Sequence, residues 1–340
     1  MAYIELNREN LHHNLDQITQ RVPLDKLSVV LKDNAYGHGL LEMAQMCSAY
    51  GVKKAVVRDI DEATLVSSYF DLVLVLAQVP KSAVEPNIHI TINALVDIEN
   101  IPVKTSVHLK VDTGMHRHGI AIEELDEALE IILKKGLQLA GVMSHARSSD
   151  ELSSETYWQL RTFRNIREIV LSFCKINECA VPLFHFANSS TITRFEDEVL
   201  FDMVRIGIAM YGYSELDAVF KSWILKPVLT LWAEKICTQK VNSQMRLGYG
   251  GAGKTLDALE VTSYDIGYAD GIFRISNQNN FVIESEKFIV GKVSMDSILI
   301  TGNSDKVALI EDASQFATLF ETISYEILVK LSPKLNRKIS

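Results

Sequence analysis

Polar residues close several apolar runs in this sequence. Lys32 ends SVVLK, Lys110 comes late in SVHLKVD, His145 ends GVMSH, Asn188 and Ser189 follow FHFA, and Arg205 interrupts MVRIGIAMYG. Runs of this kind read as buried strands, and the carboxyl ends of such strands are where barrel folds place their chemistry. Lys32 carries the most specific signal, because in LKDNAYGHG it follows an apolar run and precedes an aromatic and glycine turn. A partly desolvated ammonium loses its proton more easily, and the neutral amine attacks an aldehyde, which is what a Schiff-base enzyme requires. Tyr36, flanked by Gly37 and Gly39, is able to approach a phosphate closely and to donate its hydroxyl. From this segment alone, an exposed lysine before a turn accounts for Lys32 equally well. Each of the other residues also reads singly as a rim side chain; all on one expected face, they favour a site.

The elements that must position these residues follow from the hydrophobic pattern. Short β-branched runs alternate with stretches of helical period up to about residue 220, the pattern of repeated βα units around a parallel sheet. Candidate strands are 27–31, 54–57, 72–76, 89–92, 106–111, 137–144, 183–186 and 203–206. Ile122, Leu125, Leu129 and Ile132 repeat at helical spacing before Gly136, and Leu160, Phe163, Ile166 and Val170 do so on a longer helix. About eight such units predict a closed (β/α)8 barrel of the triosephosphate-isomerase type, in the α/β class. After Pro227 the texture becomes alternating and β-rich, with glycine turns around Gly248–Gly253 and Gly267–Gly271. The expected division is a barrel over residues 1–225 and an all-β domain over 226–340, with a first strand near residues 2–6 available to pair with the second domain.

Composition narrows the function classes. A formal net charge of −9 argues against affinity gained by neutralising nucleic-acid phosphates. The chain starts without a basic segment leading into an apolar run, and its strongly apolar stretch at Leu72–Ala77 is too short to span a bilayer, so neither a membrane nor export is expected and the protein is placed in the cytoplasm. Four cysteines without a CxxC pair read as reduced, largely buried thiols. His116 and His118 lack a second ligand pair, so no metal is expected.

Eight strings carry a family resemblance: KDNAYGHG, KVDTGMHRHG, HFANSS, VRIGIAMYG, LGYGG, IGYADG, VSMD and TISY occur in this order. Together they resemble the motifs of the bacterial alanine racemases, pyridoxal 5′-phosphate (PLP) enzymes of fold type III, and the resemblance runs from Tyr3 to Asn336. It implies the barrel and β-domain architecture already read from the pattern. It further implies that Lys32 holds PLP and serves as one acid-base group, while Tyr249, supplied by the partner subunit of a homodimer, serves as the other. Two groups are needed because a proton removed from one side of Cα must be replaced from the other. A phenol is a poor base near neutrality unless its neighbours favour phenolate, and His145 and Arg205 resemble those neighbours. Arg205 matches the arginine facing the pyridine nitrogen, where a permanent cation keeps that nitrogen unprotonated; this favours racemisation over decarboxylation.

By the same resemblance the cofactor is also held by Tyr36, Asn188, Ser189, the amides of Gly207 and Ile208, and Tyr325. Arg117, Tyr268, Met295 and Asp296 line the substrate site, and Lys110 takes the position of a lysine often carbamylated beside the arginine. The implied activity is interconversion of L- and D-alanine, which supplies D-alanine for cell-wall peptidoglycan. Departures from the family pattern are Asn34, Ser294, the two histidines flanking Arg117, and compact loops near residues 78–105. The histidines bear on the carboxylate pocket, so a racemase of serine, lysine or a broader range is the alternative on the same scaffold.

Overall fold

A computed structural model describes residues 1–220, 223–254, 259–274, 282–283 and 287–340. It divides into two compact units, one comprising Leu11–Ala35 and Met43–Lys226, the other Met1–Asn10, Tyr36–Glu42 and Pro227–Ser340. The described strands, in chain order, begin with β1 (Tyr3–Leu6), which belongs to the second unit. Eight follow in the first unit: β2 (Leu27–Val30), β3 (Lys54–Val57), β4 (Leu72–Val75), β5 (Ile88–Ile92), β6 (Ser106–Lys110), β7 (Gln138–Met143), β8 (Leu183–His185) and β9 (Val204–Ile206). They form one parallel sheet in the order β8, β7, β6, β5, β4, β3, β2, β9. Between its ends, Met203 N–H donates to Phe184 O at 3.4 Å and Arg205 N–H to Ala187 O at 3.1 Å. Backbone bonds therefore join β9 to the end of β8, and the sheet is a nearly closed eight-stranded barrel.

Register fixes what points into this barrel, because paired residues of parallel strands share a face. Ser28 pairs with Lys54 and with Arg205, Leu74 with His89, Thr91 with His108, His108 with Gly141, and Met143 with His185. The interior is polar for a barrel core, with His89, His108, His185, Lys110 and Arg205 on its inner face. Outside it, the helix Glu155–Ile176 buries Leu160, Phe163, Ile166 and Val170 as its period predicts. The helix Leu125–Lys135 ends on Gly136 at φ 72°, the left-handed cap a glycine supplies without a Cβ penalty. Ile122, assigned to the same apolar stripe, lies instead in the 3-10 turn Ile122–Glu124 and is exposed; the helix starts at Leu125, where burial starts.

The second unit is strand-rich. Its strands are β1, β10 (Leu229–Val241), β11 (Arg246–Leu247), β12 (Gly253–Lys254), β13 (Leu259–Tyr264), β14 (Val282–Ile283), β15 (Lys287–Phe288), β16 (Ile298–Thr301), β17 (Lys306–Ile310) and β18 (Asn336–Ile339). The main sheet runs β16, β13, β10, β1, β18, and β17 also pairs with β10. β10 serves so many neighbours because bulges at Leu231/Trp232 and Lys235/Cys237 bend it. Two short helices, Ala313–Leu319 and Ser324–Val329, also belong to the unit. Among the described residues no helix is long and apolar enough to cross a membrane. Cys47 and Cys174 are buried as expected, whereas Cys237 lies exposed on the bulged strand.

Candidate active site

In the barrel unit, Lys32 lies two residues beyond the end of β2, and its Nζ stands 3.9 Å from Asp33 Oδ2. Beyond it the backbone turns left-handed for four residues without a glycine: Asp33, Asn34, Ala35 and Tyr36 have φ of 55°, 55°, 52° and 52°. Each such residue costs about 1–2 kcal/mol, so the turn needs support. Within the barrel unit Arg58 Nη1 meets Asp33 Oδ1 at 2.8 Å, Asn34 N–H donates to Glu62 Oε1 at 2.9 Å, and Ala35 N–H donates to Leu31 O at 2.8 Å. Arg58 and Glu62 were not legible as site residues, because both act on Lys32 only through this turn. Asn34, the departure from the family pattern, sits at a conformation that asparagine tolerates better than most residues.

Arg205 is the centre of the arrangement. Its side chain is buried, yet no carboxylate meets it among the described residues. Its Nη1 lies 2.7 Å from His185 Nδ1 and 3.2 Å from His185 O, and its Nη2 donates to Ser144 O at 2.8 Å and Phe186 O at 3.2 Å and lies 3.4 Å from His145 Nδ1. Burial pulls the guanidinium down to about 10, which still leaves it charged at neutral pH. Its field reaches the other polar residues of the mouth. Lys110 is lowered to about 8, first by burial and then by Arg205, Arg117 and Lys32. His145 is lowered to about 3 by burial, followed by Arg205, Lys110, Arg117 and Lys32. Lys32, Lys110, Arg117, His145 and Arg205 are thus brought together at one end of the barrel.

The turn that carries Arg117 is built on Asp112, whose Oδ1 accepts from the amides of Gly114, Met115 and His116 at 2.8, 2.9 and 3.1 Å. His116 Nδ1 lies 3.1 Å from Asp112 Oδ2, so this histidine closes the turn rather than entering the barrel. His118 is exposed, and burial, Lys110 and Arg117 hold it below the ordinary histidine value. Gln159, another residue missed in the sequence, ties the rim together. Its Nε2 donates to Thr113 Oγ1 at 3.2 Å and His145 O at 3.1 Å, and Thr113 lies 2.7 Å from Ser144 Oγ. A glutamine on the apolar face of a helix gave no hint of that role.

Two expected cofactor contacts are engaged within the protein. Asn188 Oδ1 accepts from Thr191 N–H and Oγ1 at 2.9 and 2.7 Å, capping the helix Ser189–Phe195. Gly207 N–H donates to Ser189 Oγ at 3.1 Å. The serine hydroxyl proton therefore points elsewhere, and Ile208 opens the 3-10 turn Ile208–Tyr211 beside it.

The remaining expected residues lie in the strand-rich unit. Tyr36 and Tyr325 hold their rings 5.6 Å apart, tilted at 46°. Gly37 makes their approach possible, since a Cβ there would overlap the Leu328 carbonyl, and Arg337 Nη2 donates to Gly37 O at 2.9 Å. Tyr249 follows Gly248 in a turn with φ of 68° at both Gly248 and Gly250, and it is 66% exposed. Tyr268 and Met295 are brought together, because Tyr268 N–H donates to Ser294 O at 3.0 Å and Ala269 N–H to Met295 O at 2.9 Å. A Cβ on Gly267 would overlap the Met295 carbonyl, which explains the glycine. Tyr268, Met295 and Asp296 are all exposed.

The barrel mouth fits PLP on its own terms. It offers an amine on Lys32, a cluster of cations suited to a phosphate and a carboxylate, and a guanidinium on Arg205 that meets no carboxylate among the described residues.

Comparison with known proteins agrees with this geometry. Residues 6–215 match the family described as alanine racemase, N-terminal domain, and residues 228–339 match alanine racemase, C-terminal domain. An alanine racemase of a Nitratiruptor species is 43% identical over 99% of both chains. Among solved structures, an alanine racemase of Clostridium difficile 630 superposes with a TM-score of 0.89 at 28% identity, covering 100% of this chain and 95% of that one. An alanine racemase from Bartonella henselae, described with covalently bound pyridoxal phosphate, shares the fold at a TM-score of 0.83 and 24% identity, covering 100% of this chain and 99% of that one. The chain belongs to the alanine racemase family.

Proposed function

We propose that this chain interconverts L- and D-alanine with PLP, using Lys32 and Tyr249 as the two acid-base groups on opposite faces of the substrate. The observation that carries the reading is the buried, uncompensated Arg205 at the mouth that also presents Lys32. When bound, PLP supplies an electron sink that loosens the proton on the substrate Cα. Lys32 holds the cofactor through its amine and moves a proton on one face. Tyr249 moves a proton on the other face and comes from a second copy of the chain; its exposure, and that of Tyr268, Met295 and Asp296, supports a homodimer with composite sites. Arg205 presents a permanent positive charge to the ring nitrogen, so that protonating this nitrogen would set two cations together.

His145, kept neutral by burial and by the surrounding cations, accepts at Nδ1 on the Arg205 side and is left to donate from Nε2 towards the phenol. Tyr36, Asn188, Ser189, Gly207, Ile208 and Tyr325 contribute to holding the cofactor. Because Asn188 Oδ1 and the Gly207 amide are engaged internally, the Asn188 amide nitrogen, the Ser189 hydroxyl and the Ile208 amide are the donors assigned to this task. Arg117, Tyr268, Met295 and Asp296 position the substrate carboxylate and limit the side chain. Lys110 at about 8 keeps enough neutral amine to react with carbon dioxide, and carbamylation would turn a cation beside Arg117 into its ion-pair partner. The same reading assigns residues 1–225 and 226–340 to the two functional domains, places the work in the cytoplasm and directs D-alanine to peptidoglycan.

Tyr249→Phe tests the assignment. The variant keeps PLP but loses solvent exchange of the Cα proton from L-alanine far more than from D-alanine; equal loss from both enantiomers refutes one base per face.

A further inference from the structure

A line of three imidazoles crosses the barrel interior and ends on Arg205. His185 Nδ1 lies 2.7 Å from Arg205 Nη1, His185 Nε2 lies 2.7 Å from His108 Nδ1, and His108 Nε2 lies 3.0 Å from His89 Nδ1. His108 and His185 are fully buried, and His89 is half-buried at the far end. The line has been given room. The inner face of β7 opposite His108 is Gly141, where a Cβ would overlap the imidazole.

The direction of this line follows from donor chemistry alone. A guanidinium carries only donors, so His185 must accept at Nδ1 and carry its proton on Nε2. His108 must then accept at Nδ1 and donate from Nε2, and His89 accepts in turn. Reversing any ring sets two N–H groups against each other inside a core of low dielectric, where an unpaired polar group is most costly.

We propose that His108 is a positioning residue for Arg205: by accepting from His185, and passing its own proton to His89, it holds His185 in the one tautomer that can receive the arginine. The kinetic consequence rests on the reading that Arg205 faces the PLP ring nitrogen; the tautomers do not. If His108 is replaced by a group that cannot accept, the Nε2–H of His185 becomes an unpaired buried donor. His185 is then drawn towards the other tautomer, which turns a donor towards Arg205 and displaces the guanidinium plane.

The test is tautomer assignment by 15N NMR of histidine-labelled apoprotein, together with kinetics of the holoenzyme. In the wild-type protein His108 and His185 both show the Nε2–H pattern; an Nδ1–H or exchanging pattern at either overturns the proposal. His108→Asn places an amide oxygen where Nδ1 stood, so it keeps His185 as Nε2–H and stays within about twofold of the wild-type kcat. His108→Leu shifts His185 towards Nδ1–H and lowers kcat about tenfold, the size of one hydrogen bond to a charged group, with little change in the KM for alanine. Equal behaviour of the two variants, in tautomer or in kcat, overturns the proposal, because a merely structural role does not separate an acceptor from an apolar side chain of similar size. A tautomer shift without a kinetic effect refutes instead the placement of Arg205 against the cofactor. Should His108→Leu fail to fold, the wild-type spectrum still decides the direction of the line.

Discussion

Acidification should unfold the barrel unit sooner than its carboxylates alone would require. His108 and His185 are held well below the ordinary histidine value, chiefly by burial, and His89 is lowered to about 4 by the same cause. The unfolded chain takes up these protons around pH 6.5 and the folded chain does not. The unfolded state therefore binds more protons in that window, and stability falls as pH drops from about 6.5 to about 4. Each fully buried imidazole contributes a loss of about 2 kcal/mol between about pH 7 and pH 5, so His108 and His185 together remove about 4 kcal/mol. The half-buried His89 adds less. That sum is a large share of the about 5–15 kcal/mol that holds a typical domain together. Glu62, raised by burial, works in the opposite direction but is a single group.

Urea unfolding followed by far-UV circular dichroism at the two pH values measures the loss directly, with the slope against denaturant checked for constancy. His108→Asn removes one titrating group, and the loss between the two pH values should shrink by about 2 kcal/mol even if the variant starts from a lower stability. A midpoint that does not move between about pH 7 and pH 5, or a variant whose acid sensitivity matches that of the wild type, would show that the imidazoles are not held neutral by the fold.

Two further outcomes concern the mouth. Lys32→Ala should abolish the visible band of covalently held PLP near ~420 nm together with racemisation; a retained band would place the attachment on another amine. Carbon dioxide depletion should lower the activity of a wild-type enzyme carrying carbamylated Lys110 and bicarbonate should restore it, while Lys110→Asn should be insensitive to both; equal sensitivity of the two proteins would remove Lys110 from that role.

The barrel was legible because its strands are short β-branched runs separated by helices with clear period, and because Lys32, Lys110 and Arg205 each break an apolar run. What could not be read has a common physical origin in partners distant along the chain. The left-handed turn after Lys32 depends on Arg58 and Glu62, and nothing in KDNAYGHG announces a need for them. His108 sits in HLK, one inward position before Lys110, and passes for an ordinary strand residue until register sets it between His89 and His185. Gly141 carries no signal of its own within its apolar run and is the space for a ring. Ile122 failed for the opposite reason: it fits the helical period, but the chain is still in a 3-10 turn there, and the apolar side chain stays in water.

A buried cation ordinarily demands a counter-charge, since removing it from water costs several kcal/mol unless it is paired and hydrogen-bonded. Among the described residues Arg205 is given hydrogen bonds without the counter-charge: three backbone carbonyls and two imidazoles receive it, and none cancels its field. A carboxylate in that place would make the burial easier and would leave the mouth nearly neutral, so that Lys110 and His145 would keep more of their protons and a ring nitrogen could gain one. Neutral acceptors do the reverse. They keep the charge on the guanidinium, project it into the mouth, and leave it to act on whatever binds there. Histidine suits the task only while it stays uncharged, which is why the imidazole beside Arg205 is buried and why the line through His108 continues to a half-buried end. The polar barrel core is on this view a single device: an arginine made permanent by its chemistry, and three histidines kept neutral by their burial so that its charge is felt at the site.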